Sequence, residues 1–450
     1  MKKTNIYYSI ILILATTFTS CQKYLDVKPT AALANNVAIV DAGTARSAIL
    51  GAYHQVQNYY QLNYPVLGFL TADNVIFNGT LSQYLQVDQN AITPDNPITS
   101  AAWASIYQAI NSANNVIAAL PNVTDPVLGA AEKSQILGDA YFIRALGYFD
   151  LGRGWGGVQL QLKPTTDLAG LKGIKRSTLD QTYDQVLADL IQAEQLLPED
   201  NSTRNRAQKS VVRALRARLH LYRGQWSDAE KYATQVLNNS KYALVTPYKS
   251  FFAAPFLSKE SVFELSFSSA NPNSQWNFWF PSSLGGQFTL QPSTKLITQL
   301  NDPTIGGGRN ALIATTVNGN STVTYGALYY RSAAKDDPAY LIRLAELYLI
   351  RAEARAQQNN LTDGLADLNV IRTRAGIAAS TAATQGSLLL AIENENSIEF
   401  AFEAHRWFDL VRTKRAGDVL GVTNTDYWLF PVPFVDVSSD PDVTQNHGYQ

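Results

Sequence analysis

Residues 211–237 read VVRALRARLHLYRGQWSDAEKYATQVL, two apolar stripes separated by a single glycine. Val211, Leu215, Leu219 and Tyr222 recur at the three-to-four-residue spacing that puts side chains on one face of a helix. Gly224 ends that stripe, because glycine enters the left-handed conformation that closes a helix without steric penalty. Ser227 with Glu230 has the spacing of a capping box, which predicts a second helix opening at the serine. On its inner face, Ala229, Ala233 and Val236 are small enough for close approach. The stretch therefore reads as a helical hairpin.

The same pattern returns further along. Asp337 and Pro338 suit a cap and first turn, and Leu341, Ala345, Tyr348 and Ala352 form an inner stripe. Asn359 and Asn360 break it before Leu361, Leu365, Leu368 and Ile371 resume it up to Gly376. Hairpins with alanine at the crossing and a Gly or Asn turn read as tetratricopeptide-like units of roughly 34 residues. Upstream, Phe142, Leu146 and Phe149 share a helical face, as do Tyr183, Val186, Leu187, Leu190, Ile191 and Leu197 before Pro198. Thr178 with Gln181 predicts a capping box there.

Between the hairpins, 243–331 is rich in Ser, Asn, Gly, Pro and aromatics and carries no sustained helical stripe, which predicts long loops and short strands, one of them over Ser261 to Phe267. The fold class expected is mainly α: a tetratricopeptide-like helical hairpin scaffold with an irregular loop-rich ligand-binding region. Its hairpins fall within 100–240 and 337–413, in one domain from 41 to 450.

A chain of 450 residues, 46% hydrophobic and 16% charged, has the composition of a globular protein and not of a disordered one. With 36 basic against 37 acidic residues and no basic patch along the chain, nothing favours a nucleic-acid partner. At the N-terminus, Lys2 and Lys3, the apolar run Ile6 to Ala15 and a small polar stretch predict a signal peptide over residues 1–20. That run is far short of the roughly 20 apolar residues a membrane-spanning helix needs, and no later segment reaches that length. Cys21, the only cysteine, stands where the leader ends; alone it cannot form an internal disulfide, and a covalent lipid explains it. Phe18-Thr19-Ser20-Cys21 resembles a bacterial lipobox with Phe18 at the usual leucine position, so 21–40 reads as a lipid-anchored segment, with several acyl chains giving stable anchoring.

Longer motifs then resemble one family. Cys21-Gln-Lys-Tyr-Leu-Asp26-Val-Lys-Pro29 is similar to the opening of the SusD/RagB surface nutrient-binding lipoproteins. Trp103, Tyr107, Ile110 and Asn114 follow the spacing of that family's early helix, and Arg144 to Leu160, RALGYFDLGRGWGGVQL, resembles its most recognisable stretch. Leu344 to Ala354, Leu368 to Gly376 and Glu399 to Arg412 resemble its C-terminal set. Asn396 stands where the family usually has arginine, Ala404 where it has glycine, and His447 where it has proline. The resemblance implies a lid docked on a SusC-like TonB-dependent transporter at the cell surface of the outer membrane, handing over an oligosaccharide or peptide without covalent chemistry.

Sugar rings stack on Trp and Tyr while amides and carboxylates bind their hydroxyls. Trp276, Phe278, Trp279 and Phe280, flanked by Asn271, Asn273 and Gln275, are the first-choice ligand site; the open alternative is rings buried in the core or against the partner. The second choice is Tyr59, Tyr60 and Tyr64 with Asp73, Asn74 and Tyr84, and the third is Tyr325, Tyr329, Tyr330 and Arg331. The glycines at 152, 154, 156 and 157 follow a helix and lack the Lys-Ser or Lys-Thr of a phosphate loop, so they read as a packed turn. Gly306-Gly307-Gly308-Arg309 after Asp302 reads as a flexible turn in preference to an oxyanion or calcium site. The four histidines form no metal-spaced pair, and no cofactor is implied. Glu346 and Glu353 are expected to pair with arginines such as Arg343 and Arg351; as an acid pair they would serve the rival reading, a surface glycoside hydrolase.

Overall fold

Asp41 opens the first helix: its carboxylate accepts from the Thr44 N–H at 2.8 Å while the Thr44 hydroxyl accepts from the Asp41 N–H at 3.1 Å. This reciprocal cap satisfies donors that a helix start leaves unpaired. The computed structural model describes residues 39–165, 173–199, 203–253 and 257–449, so the leader and Cys21 lie outside the described residues.

The N-terminal half is built from α1 (Ala42–Tyr60), α2 (Asn63–Phe69), β1 (Val75–Phe77), α3 (Ser82–Asp88), α4 (Pro97–Ala119), α5 (Ala130–Trp155), α6 (Leu179–Leu196), α7 (Lys209–Tyr222) and α8 (Trp226–Leu237). Thr178 and Gln181 form the expected capping box at the start of α6. The hairpin of α7 and α8 is present, with Gly224 at φ +66° between its arms. Its second helix starts at Trp226, however, with no side-chain cap. Ser227 and Glu230 are already inside it, and the Glu230 carboxylate instead accepts from Arg355 Nε at 2.8 Å.

The irregular middle contains α9 (Ser250–Ala253), β2 (Ser261–Leu265), α10 (Gln275–Trp279), β3 (Leu290–Pro292), α11 (Thr294–Asn301), β4 (Ile313–Asn318), β5 (Ser321–Gly326) and β6 (Ala339–Arg343). Its strands pair antiparallel in two-stranded units, β1 with β3, β2 with β6 and β4 with β5. Helices return as α12 (Leu344–Gln357), α13 (Leu361–Ala375), α14 (Gln385–Glu399), α15 (Arg406–Arg412), α16 (Ala416–Leu420) and α17 (Phe434–Ser439).

One boundary differs from the periodicity. Asp337 and Pro338 cap no helix; residues 339–343 are a fully buried strand and the helix begins at Leu344. Ala339 to Arg343 pair with β2 across the chain, and a strand covered on both faces wins over one more helical turn. Asn359, at φ +62°, and Gly376, at φ +75°, punctuate α12 and α13 where the sequence placed the breaks.

Two apolar clusters form the interior, a large one running through most of the elements and a smaller one among α12, α13 and α14. Buried ion pairs cross the large one. Arg153 donates to Asp150 at 2.8 Å and to the Tyr64 hydroxyl at 2.6 Å, while Tyr60 and Tyr64 donate to the same carboxylate at 2.8 and 2.9 Å. Arg343 joins Glu260, Glu399 and Glu403 at 2.7, 2.8 and 2.8 Å. Glu346 and Glu353 do pair with arginines, but with Arg218 at 2.5 Å and Arg412 at 2.6 Å, not with the near neighbours the spacing suggested. The Gly152-to-Gly157 stretch is not a turn throughout, because α5 continues to Trp155. Gly157 is required by close approach: an added Cβ would lie 1.9 Å from the Ser177 carbonyl oxygen.

Candidate functional site

The five-residue helix α10 carries three of the four crowded rings and turns them to different sides. Trp279 is 1% exposed, its ring 5.5 Å from that of Phe69 and 4.7 Å from that of Phe402, so neither face is open to a ligand. Trp276 and Phe278 are half-buried, on the outer side of the same helix. Phe280 is buried and braces Trp276 edge-on at 6.1 Å, then meets Tyr325 edge-on at 5.1 Å. A continuous run of rings results, Trp276–Phe280–Tyr325, whose two ends reach solvent.

Polar groups surround its Trp276 end. The Lys335 ammonium lies 5.9 Å from the indole centroid, within reach of a cation–π contact. Lys335 is held at φ +56° by its N–H donating to the Arg331 carbonyl at 2.7 Å and its own carbonyl accepting from the Asn273 N–H at 2.8 Å. Asn277 has an amide with no side-chain hydrogen bond among the described residues. Next to this segment, Asn271 Nδ2 donates to Gln57 Oε1 at 2.7 Å, and Gln61 Nε2 donates to the Pro272 carbonyl at 2.5 Å. Helix α1 thereby pins the loop that precedes the rings. Buried Gln275 keeps a side-chain nitrogen without a hydrogen-bond partner, a polar cost beneath the platform.

The other expected site residues sit elsewhere. Tyr64 is fully buried in the Asp150–Arg153 network, stacked 5.6 Å from Phe408; burial raises its hydroxyl pKa well above the usual range. Asn74 is buried and donates to the Ser397 carbonyl at 2.7 Å. Asp73 is bridged to Arg406 at 2.8 Å and Lys295 at 2.5 Å. Burial works to raise its carboxyl, but these two cations hold it below the usual value. Trp279, Tyr64 and Asn74 thus serve the interior, and Asp73 ties the β1 end to α15. Tyr84 is half-exposed and stacked on Phe77 at 5.2 Å. Tyr330 is half-buried, its hydroxyl donating to the Ala253 carbonyl at 3.2 Å, while Tyr329 is buried. Gly307 begins a packed 3-10 turn and Arg309 is fully buried against Glu395 at 2.5 Å. Among the described residues no cluster of His, Cys, Asp or Glu could hold a metal ion.

Two family profiles match the chain, one described as "Starch-binding associating with outer membrane" over residues 23–221 and one described as "SusD family" over residues 287–425. The chain belongs to the SusD/RagB family. Among curated SusD-family proteins, "SusD-like protein P38" of Formosa agariphila is 25% identical, with 98% of each chain covered. The "Starch-binding protein SusD" of Bacteroides thetaiotaomicron is 30% identical over 170 residues, 32% of this chain. A solved "Laminarin binding SusD-like protein" superposes with a TM-score of 0.81 at 21% identity, covering 91% of this chain and all of the other, which shows the SusD fold. The SusD family is one of carbohydrate-binding proteins associated with the outer membrane. Among the described residues, no helix of this SusD-family chain is long and apolar enough to cross a membrane.

Proposed function

We propose that this protein is a surface lipoprotein, anchored through a lipid on Cys21, that binds a nutrient oligosaccharide on the Trp276–Tyr325 platform and delivers it intact to a SusC-like TonB-dependent transporter. The observation that carries the binding site is Trp276, an indole braced from behind by Phe280 yet open to solvent beside the Asn277 amide and the Lys335 ammonium. A braced ring offers a sugar a flat apolar face at little entropic cost, and an amide without an internal partner can bond its hydroxyls. Tyr325 extends the surface through Phe280, and Phe278, Tyr330 and Tyr84 are further partly exposed rings. The signal peptide and the single domain from 41 to 450 belong to the same reading. So does the absence of covalent chemistry: Glu346 and Glu353, the candidate acid pair, are both tied into buried ion pairs.

Affinity electrophoresis tests it. In gels containing starch or laminarin, the polysaccharides in the descriptions of two relatives, the native chain is retarded by at least one, and Trp276→Ala migrates as in a gel without glycan. Equal mobility of wild type in all gels, or equal retardation of the variant, rejects the assignment. Co-purification of the transporter with the tagged lipoprotein from solubilised outer membranes tests the delivery step; a lipoprotein recovered alone contradicts it.

A further inference from the structure

A cleft of about 860 Å³ opens between the two sets of hairpins, and none of its lining residues belongs to the ring platform. One wall is the turn from α7 to α8, with Tyr222, Gly224 and the half-exposed ring of Trp226. A second is one face of α14, where Gly386, Leu389, Leu390, Glu393 and Asn396 fall at helical spacing. Arg406, Asp409 and Arg412 of α15 form the third, and Glu353 and Gln357 of α12 complete the lining. A concavity of this size is in the range that encloses most of the surface of an organic ligand.

Apart from Lys414, the charged side chains that line it are already matched. Arg412 places two N–H groups on the Glu353 carboxylate at 2.6 and 2.7 Å and its Nε on Asp409 at 2.8 Å. Arg415 donates to Glu393 at 3.0 Å, Arg406 to Asp73 at 2.8 Å, and Arg223 pairs with Asp184 at 2.8 Å. An ionic ligand would have to displace these pairs, whereas an uncharged polyhydroxyl ligand can use the lone pairs and N–H groups they leave over. Lys414, exposed on a left-handed residue at φ +60°, stays at the rim. The side-chain amides of Asn396 and Gln357 make no hydrogen bond among the described residues, and the Trp226 ring with Leu389 and Leu390 supplies the apolar surface. Asn396 lines the space, and a longer side chain at this position would narrow it.

We infer that this cleft is a second binding site, for a short neutral oligosaccharide, separate from the Trp276 platform. The inference rests on the reading of the chain as a carbohydrate-binding protein. It is tested by calorimetric titration of the full chain with maltohexaose and with laminarihexaose. Wild type binds one of these probes at two sites. Trp226→Ala weakens one site at least tenfold and leaves the other, Trp276→Ala does the converse, and the double variant binds at neither. Asn396→Arg, which puts a longer side chain at a partly buried lining position, reproduces Trp226→Ala. One site in the wild type, lost in Trp276→Ala and unaltered in both Trp226→Ala and Asn396→Arg, overturns the second site and leaves the platform standing. No binding of either probe by the wild type overturns both.

Discussion

Trp276 and Trp279 stand three residues apart, and alanine at each should produce opposite phenotypes. Trp279 is 1% exposed between Phe69 and Phe402, and an added Cβ on Gly326 would come within 2.7 Å of its ring, so the indole fills a closely packed space. Truncating such a side chain costs about 3–5 kcal/mol, through lost burial and the cavity left behind. With an unfolding entropy of roughly 2.1 cal/mol/K per residue, a chain of 450 residues has about 0.9 kcal/mol/K, so a two-state transition would move down by about 3–5 °C. Trp276, half-buried, should cost about 1 kcal/mol and move the transition by about 1 °C. For binding the order reverses. A tryptophan at the centre of a contact surface is worth about 2 kcal/mol or more, so Trp276→Ala should lose about 30-fold in affinity while Trp279→Ala stays within about twofold. Scanning calorimetry and glycan titration of the two variants read both quantities. A Trp279→Ala protein that melts like wild type but no longer binds would refute the reasoning, because its ring would then face the ligand.

Other perturbations probe the scaffold. Burial raises the Glu403 carboxyl to about 7 against the pull of Arg343, so the folded chain holds a proton there that the unfolded chain has released above the ordinary value of 4.5. Stability from this group therefore falls as pH rises from about 4.5 to about 7, and Glu403→Gln should remove that slope, read as the difference between wild-type and variant denaturation midpoints across the window. Arg218→Met leaves the buried Glu346 carboxylate unpaired and should destabilise by about 3–5 kcal/mol in chemical denaturation, with most of the loss recovered in Arg218→Met/Glu346→Leu. Gly157→Ala should fail to give soluble protein, since its Cβ would lie 1.9 Å from a carbonyl oxygen, whereas Gly51→Ala, inside α1 with nothing within 4 Å, should stabilise by about 0.5–1 kcal/mol. Cys21→Ser should abolish incorporation of labelled palmitate and move the protein out of the membrane fraction; retention of label would contradict the anchor.

Local signals carried the helices. The Thr178–Gln181 cap, the Gly224 turn and the Asn359 and Gly376 stops each depend on residues within one or two turns, and they stand where periodicity put them. Features decided by distant parts of the chain were not legible in that way. Ala339 to Arg343 looked like a helix start because its partner strand is written some 80 residues earlier, at Ser261 to Leu265. The partners of Arg343 and of Glu346 come from other elements, which i, i+3 or i, i+4 spacing cannot name. The rings at 276–280 mark a place, but on a helix of five residues only the packing of Phe69, Phe402 and Gly326 decides which indole turns inward. Lys335 gave no signal in the sequence; it reaches Trp276 through a left-handed residue that neither composition nor periodicity encodes.

Capture without cleavage is tested most directly by titrating the purified lipoprotein with maltohexaose and laminarihexaose while following tryptophan fluorescence, then recovering the ligand by chromatography. Saturable quenching that disappears in Trp276→Ala, with the hexasaccharide recovered at its original length, is the expected result. Shortened sugar in the eluate, or fluorescence indifferent to every glycan, would contradict it.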